Sequence, residues 1–236
     1  MKRYIQVVSL IILLAATSSA ADTKKIIVNI GGVLFDVKSP AGFHEISAIS
    51  PETRRMAETM TPPTNRLLGV FVSESDLKRV KKGDFPELTR YMLLQTFRQM
   101  ENRIMSGPDF YQAASGIKKQ QNTLLNSVKD KVGNLLDGAT DKLSKEYDIS
   151  MKMKMGEQIP LGIFNDQPKS FGFANLVKYQ LEAEGVKSEH VVAGGTSMLL
   201  HKGKILFVYV YSTYKSKKDI EWVKTTSIKW LSDFSN

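Results

Sequence analysis

The side chains best suited to metal chemistry in this sequence are its three histidines. His44, His190 and His201 form no HxH, HxxxH or HExxH pattern, and those are the spacings that bring two imidazoles together on zinc. His190 and His201 flank one predicted strand and could meet across a hairpin, although each is more typical of a surface residue at a strand end. The sequence therefore predicts no metal site and no cofactor.

Motifs for nucleophilic catalysis and for phosphate binding are also missing. There is no G-x-S-x-G turn, and no S-x-x-K motif stands beside its usual partners. The segment Gly194-Gly195-Thr196-Ser197 lies inside a strand pattern, so its glycines predict a bulge or a bend and not a phosphate loop. Glu182 and Glu184 are close in sequence, whereas glycoside chemistry needs opposed carboxylates from different elements. No catalytic residue is predicted.

An aromatic cluster followed by lysines is the first candidate for a binding surface. Tyrosine offers apolar area with a polar tip, which suits a binding site. Tyr211, Tyr214 and Lys215 are the candidate binding residues. The alternative is that alternate tyrosines pack under a helix and that the lysines decorate the start of that helix. The whole cluster is Tyr209, Tyr211, Tyr214, Lys215, Lys217 and Lys218.

The polar side of a long helix in the middle of the chain is the second candidate. Aspartates interleave with its lysines, whereas a membrane-binding helix usually has a cleaner basic face. The mixed charge therefore favours a solvated surface. The residues concerned are Lys118, Lys119, Lys129, Asp130, Lys131, Asp137, Asp141, Lys142 and Lys145.

Composition bounds the class of protein. The 236 residues include no cysteine, which excludes disulfides, thiolate metal sites and cysteine nucleophiles. A hydrophobic content of 42% is enough for a packed core. The net charge of +9 fits solubility, an anionic membrane or an acidic partner. Nucleic acid is not predicted as a partner, because the chain carries an export signal.

That export signal is the N-terminal pattern. Lys2 and Arg3 precede an almost wholly apolar stretch, Tyr4–Ala16, and small residues follow. The pattern is typical of a signal peptide, residues 1–20, cleaved between Ala20 and Ala21. The alternative is an uncleaved anchor, but the apolar stretch is shorter than the roughly 20 residues that span a bilayer. We expect a periplasmic or secreted mature chain.

Period-two patterns predict strands over much of the chain. Gly31-Gly32 predicts the turn of a hairpin within residues 26–37, and Asn165–Pro168 and Lys202-Gly203 predict further turns. The segment 88–97 is predicted as a strand whose tail could equally be helical. The other predicted strands are Leu67–Val72, the alternating Met151, Met153 and Met155, Phe171–Leu181, Val191–Leu200 and a central strand at Ile205–Tyr211.

The sequence predicts four helices, three of them from capping residues. Ser50 begins the first, which Pro62-Pro63 stops, and Ser73 with Asp76 begins the second. Ser216 with Asp219 begins the last. Between them, apolar residues at steps of three and four predict a long helix, roughly Asp109–Lys145. Glycines weaken helices, so a break is expected, near Gly116 or Gly138.

These elements predict one α+β domain. Strands joined by short turns form a mostly antiparallel sheet, and the helices must cover its faces as an α/β/α sandwich. The domain spans residues 21–236 and carries its helical insertion at about 107–147.

Two segments carry a resemblance to known folds. Val37–Phe43, and the strand-to-helix pattern from Leu206 to Trp222 containing YSTYKSKKDIEW, resemble PsbP-like and Mog-type α/β/α sandwiches and uncharacterised bacterial exported proteins of that shape. The resemblance implies a sheet with helices on both sides and a non-catalytic binding or assembly role. The long helical middle departs from the pattern, and no functional residue is carried over.

Three functions remain open from the sequence. The first is a non-catalytic exported protein that binds a protein partner or an envelope component. The second is a hydrolase whose site residues converge only in the fold. The third is a peripheral protein that contacts a membrane surface through the middle helix.

Overall fold

The structure is a computed structural model that describes residues 25–84 and 86–234, and within its longest helix it describes no side chain from 120 to 131. The predicted signal peptide and its cleavage site at Ala20 and Ala21 lie outside the described residues. None of the described helices is long and apolar enough to cross a membrane.

The described chain contains nine strands and four α-helices in one layered domain. The strands are β1 Lys25–Ile30, β2 Val33–Lys38, β3 Phe43–Glu45, β4 Asn65–Ser73, β5 Arg90–Phe97, β6 Met151–Gln167, β7 Ser170–Ala183, β8 Val186–His201 and β9 Lys204–Thr213. The helices are α1 Pro51–Thr59, α2 Glu74–Val80, α3 Gly107–Tyr147 and α4 Lys217–Asp233, with a short 3-10 turn at Arg98–Met100.

Seven of the strands form one sheet in the order β3-β4-β5-β9-β8-β7-β6, and every neighbouring pair is antiparallel. Strands β1 and β2 form a separate hairpin around Gly31-Gly32. β9 occupies the centre of the large sheet, as its continuous apolar run predicts.

One face of the sheet, which we call the α4 face, is covered by α4 and the hairpin. Alternate residues of β9 point toward it and are buried, namely Leu206, Val208 and Val210. They pack with Val223 and Trp230 of α4 in one core cluster. The hairpin adds four more buried residues to that cluster, Val28, Ile30, Phe35 and Val37.

The opposite face, which we call the α3 face, is covered by the other three helices. Phe110 and Ala114 at the start of α3 pack on a cluster that contains Phe171, Met198 and Ile205. A separate cluster lies under α1 and α2 and consists of Ile46, Leu67, Val70, Val72 and Leu77, with Ala57 packed against it. The predicted α/β/α arrangement of an antiparallel sheet is therefore confirmed.

Serine side chains begin the helices at the predicted positions. Ser50 Oγ accepts the N–H of Thr53 at 3.3 Å, and Ser73 Oγ accepts that of Asp76 at 3.2 Å. Ser216 and Asp219 form a reciprocal capping box at the start of α4. These bonds satisfy N–H groups that have no partner inside the helix.

Two predictions about glycines are wrong. α3 runs without interruption for 41 residues, through both Gly116 and Gly138, because its two buried ends anchor it against the sheet and α1. Gly194 and Gly195 form no bulge or bend, since the pairing of β8 with β7 and β9 continues through them in register. A Cβ at Gly195 would lie 2.8 Å from atoms of Val223 and Ser227, so this glycine lets α4 approach the strand.

Two boundaries also differ from the sequence prediction. β6 continues through Gln167, so the turn before β7 is shorter than Asn165–Pro168. The segment 90–97 is a strand, and the helical tendency of its tail appears only as the 3-10 turn from Arg98.

The close packing at Gly195 gives a stability prediction. Gly195→Ala should destabilise the protein by about 1–3 kcal/mol, because the added methyl group overpacks the interface between α4 and β8. Urea unfolding measures this change. Gly116→Ala is the control, since its Cβ meets nothing within 4 Å and alanine favours helix. A midpoint for Gly195→Ala at or above the wild-type value would contradict the proposed role of this glycine.

Candidate functional site

The structure does not bring the three sequence-predicted binding residues onto one surface. Tyr211 lies on the α3 face, whereas Tyr214 packs against the cluster on the α4 face. Lys215 is exposed, and its backbone N–H donates to Asp219 Oδ2 at 3.0 Å. Lys217 and Lys218 are exposed first residues of α4.

The tyrosines of β9 instead form an aromatic ladder, which we define as Tyr91, Phe207, Tyr209 and Tyr211. The rings of Tyr209 and Tyr211 are parallel within 2° at 6.2 Å, and Tyr91 stacks on Tyr211 at 4.9 Å. The period of two along β9 places its members on one face, and strand pairing sets Tyr91 opposite Tyr211. The ring of Tyr211 lies against Gly194, where a Cβ would be 3.3 Å from its Cε1 atom.

Burial keeps the phenols of this ladder neutral. Desolvation raises the pKa of Tyr91 and of Tyr211, and raises the pKa of Tyr209 to about 12, although a hydrogen bond with Asn65 opposes that last shift. Burial also raises the pKa of Tyr179. Phenols with a raised pKa stay protonated near neutral pH, and the stacked rings of the ladder pack against one another on the sheet.

A polar network joins the ladder to a groove. Asn65 Nδ2 donates to Gln95 Oε1 at 2.9 Å, and Gln95 is in turn 3.5 Å from Thr61 Oγ1. Thr61 and Asn65 line a cavity of about 640 Å³ between α1, α3 and the start of β4. We call it the α1–α3 groove. Its other lining residues include Arg54, Glu58, Arg66, Leu67, Arg98, Asn134, Leu135, Gly138, Ala139 and Lys142.

Four cations line the groove, and two of them are neutralised by this chain's own carboxylates. Arg54 Nε pairs with Glu58 at 2.8 Å. Arg66 binds both oxygens of Glu101 at 2.9 Å and also donates to the carbonyl of Asn29. These bonds hold both guanidinium groups in place and reduce their charge toward a ligand.

The other two cations, Arg98 and Lys142, have no acidic partner among the described side chains. Arg98 donates from Nε to the carbonyl of Asn65 at 2.9 Å, which fixes its guanidinium while both terminal nitrogens stay free of carboxylates. Both side chains belong to exposed residues. The groove therefore offers a fixed planar guanidinium and an exposed ammonium to an anion.

An ion pair joins α1 to the end of α3. Arg55 Nη1 binds Glu146 Oε1 at 2.6 Å, and this hydrogen bond raises the pKa of Arg55. Because both groups lie at the surface, the pair orients the two helices and adds little stability.

A second cavity, of about 770 Å³, lies between the end of α4 and the turns before β7 and β9. Lys169, His201 and Lys202 line it beside Leu231 and Phe234. Its cations lie beside the C-terminal end of α4, which the helix dipole makes negative. The ammonium group of Lys202 donates to the carbonyl of Leu34 at 3.2 Å, so this cation of the cavity already has a hydrogen-bond partner.

The histidines do not meet. His201 packs between Phe35 and Phe234, and burial and then the nearby Lys202 and Lys169 lower its pKa. His190 contacts Ser188 Oγ at 3.0 Å near the other end of the same strand. His44 pairs with Glu74. Within the described part of the chain, no group of three or more histidine, aspartate or glutamate residues could hold a metal ion.

The two candidate glutamates have local partners. Glu182 lies near Lys187 across a turn at 3.9 Å, and Glu184 accepts the N–H of Ser150. The groove residues were not found by sequence reasoning, since they come from α1, β4, the 3-10 turn and α3. Lys142 was visible only as one lysine of the helix's polar side.

Comparisons with known proteins give structural likeness only. No family model matches the chain, and no curated protein matches it. A solved structure of a Mog1 point mutant is similar at 11% identity and a TM-score of 0.38, with 90% of this chain and 94% of that chain covered. Mog1p of Saccharomyces cerevisiae, described as a Ran-binding protein, is similar at 11% identity and a TM-score of 0.34, with 90% and 93% covered. Likeness at this level carries no argument about function.

The buried phenols predict an alkaline loss of stability. Between pH 10 and the raised native pKa, the unfolded chain loses tyrosine protons that the native chain keeps, so the free energy of unfolding falls by up to about 1.4 kcal/mol per pH unit for each such group. Tyr211→Phe removes one group and should flatten this fall, as measured by urea unfolding at pH 9, about 10 and about 11. Tyr111→Phe, at a position that is 63% exposed, is the control. Equal slopes for all three proteins would contradict the effect.

Proposed function

We propose that this chain is an exported, non-catalytic protein that binds a protein partner through the α1–α3 groove. The observation that carries the proposal is the pair of exposed cations, Arg98 and Lys142, set beside an apolar floor in an open cavity. Apolar floor residues Leu67 and Ala139 are buried, at 3% exposure each. A basic rim over an apolar floor supports peptide or protein binding.

The groove is a poor setting for hydrolysis, the second function left open by the sequence. A hydrolase needs titratable groups that converge as acid, base or nucleophile. Glu58 is the one carboxylate among the groove's described lining residues, and Arg54 holds it in an ion pair. Arginine and lysine make up the other charged residues there. This composition favours binding.

Membrane docking through the middle helix is also disfavoured. A helix that lies on a membrane must present its apolar side to lipid. In α3 the apolar residues at both ends face the protein instead, with Phe110, Leu136 and Leu143 at 0%, 6% and 3% exposure. These described residues of the apolar stripe are thus used inside the fold.

Export is proposed from the N-terminal sequence pattern. Every described element begins at or after Lys25, so cleavage before Ala21 would remove none of them. A chain without cysteine also folds independently of the redox state of its compartment.

The export proposal is tested by intact mass. Protein recovered from the native cell's envelope or medium should have the mass of a chain that begins at Ala21. Ala20→Lys should block processing, because the cleavage site requires a small residue there. A mature cytosolic protein that still begins at Met1 would contradict export.

The partner proposal is tested by site-specific photo-crosslinking. A photoreactive residue in place of the exposed Asn134, which lines the groove, should give a discrete adduct in intact cells. Adding Arg98→Glu with Lys142→Glu should remove that adduct. Lys217→Glu with Lys218→Glu makes the same change in net charge away from the groove and should leave the adduct in place. An adduct that survives the groove variant would count against the groove.

A further inference from the structure

We infer that the segment bound in the α1–α3 groove is acidic, with carboxylates that meet Arg98 and Lys142 and a chain that passes over Gly138. This inference rests on the proposed function and names the chemistry of the partner. Three observations support it. They are the charge of the groove, the difference between its paired and unpaired cations, and a helical glycine with no role in packing.

Charge complementarity is the first observation. The four cations of the groove exceed its single described lining carboxylate, and the two without acidic partners among the described side chains lie on different elements that face the same cavity. Arg98 is held by its Nε bond to the Asn65 carbonyl. A guanidinium fixed in this way has two terminal nitrogens ready for bidentate binding of a carboxylate.

The division of cations is the second observation. Arg54 and Arg66 already bind carboxylates of this chain, and Arg66 is further fixed by the Asn29 carbonyl. A ligand carboxylate would have to displace these intramolecular partners to reach them. Recognition therefore falls on Arg98 and Lys142, and they are the specificity-determining residues of the groove.

Gly138 is the third observation. It is an exposed position inside α3, and a Cβ built on it would meet nothing within 4 Å. Packing within the fold thus gives no reason for glycine there, although glycine disfavours the helix. Gly138 lines the groove, and because it has no side chain the backbone of α3 is accessible between Leu135 and Lys142. An extended segment can then approach the backbone of α3.

Gly133 provides a matched control. It lies five residues earlier in α3, about 1.4 turns away, and a Cβ there also meets nothing within 4 Å. It is absent from the groove lining. Alanine at either position should favour the helix equally, so a difference in binding between the two variants reports the groove and not the stability of α3.

The experiment uses the full mature chain and a short fluorescein-labelled peptide of alternating glutamate and leucine, with the glutamine version as the uncharged probe. Fluorescence anisotropy in buffer of about 0.15 M ionic strength measures affinity. Wild-type protein should bind the glutamate peptide and not the glutamine peptide. Arg98→Gln with Lys142→Gln should weaken binding by about tenfold or more, since two charge-assisted contacts are lost. Lys217→Gln with Lys218→Gln should stay within about twofold, because screening limits effects of distant charges.

The glycine pair completes the test. Gly138→Ala should weaken peptide binding by roughly threefold or more, since a methyl group would displace the bound chain, while Gly133→Ala should leave affinity unchanged. Both variants should melt at or above the wild-type temperature. Equal affinities for the two variants would overturn the assignment of Gly138.

The outcomes separate this inference from the proposed function. Groove-dependent crosslinking without binding of the glutamate peptide would overturn the acidic segment and leave partner binding in place. Peptide binding that ignores Arg98 and Lys142 would overturn the assigned residues. Arg98-dependent binding to vesicles that contain phosphatidylglycerol, in the absence of peptide binding, would assign the groove to an anionic membrane and overturn the inference.

Discussion

Burial of both faces of the central strands is the constraint on which this structure depends. β5, β9 and β8 carry apolar residues toward both sides, so the chain must supply a covering layer for each face. On the α4 face, one helix and the hairpin form a single continuous cluster, and Gly195 lets the helix approach closely. On the α3 face, three helices cover two separate clusters. A seam between helices remains on that face, and the α1–α3 groove is that seam.

The charges along the seam act on geometry more than on stability. Exposed ion pairs contribute only about 0–1 kcal/mol each, so Arg55 with Glu146 and Arg54 with Glu58 do little to hold the domain together. Arg54 and Glu58 both belong to α1 and hold each other in place, whereas Arg55 with Glu146 joins α1 to α3. With these carboxylates already used, Arg98 and Lys142 retain their charge for a ligand. The positive charge of the groove thus comes from the cations that carboxylates of this chain do not pair.

Local signals predicted most elements of the fold, because each depends on neighbours in sequence. Ser50, Ser73 and Ser216 mark helix starts through bonds to residues three positions later. In β9, alternate residues point to opposite faces of the sheet, as a period of two predicts. The glycines show where such reasoning ends. From the sequence, Gly138 predicted a break in a helix and Gly195 a bulge or bend in a strand. In the structure, Gly138 leaves open space beside the groove, whereas Gly195 lets α4 approach β8. The difference lies in tertiary contacts, and so does the groove, whose cations come from four elements.

The groove and the core share a layer of polar residues. The residues on the floor of the groove therefore have a structural role that those on its rim do not have. Asn65 bonds Gln95 and Tyr209 beneath the groove, and Gln95 and Thr61 are themselves buried at 4% and 8% exposure. Removing one member leaves a buried polar group unpaired, which costs about 1–3 kcal/mol. Arg98 and Lys142 stand on the rim, and among the described residues the one bond from them to this layer runs from Arg98 Nε to the carbonyl of Asn65. Under the proposed function, specificity can therefore vary at the rim while the floor stays fixed by the stability of the fold.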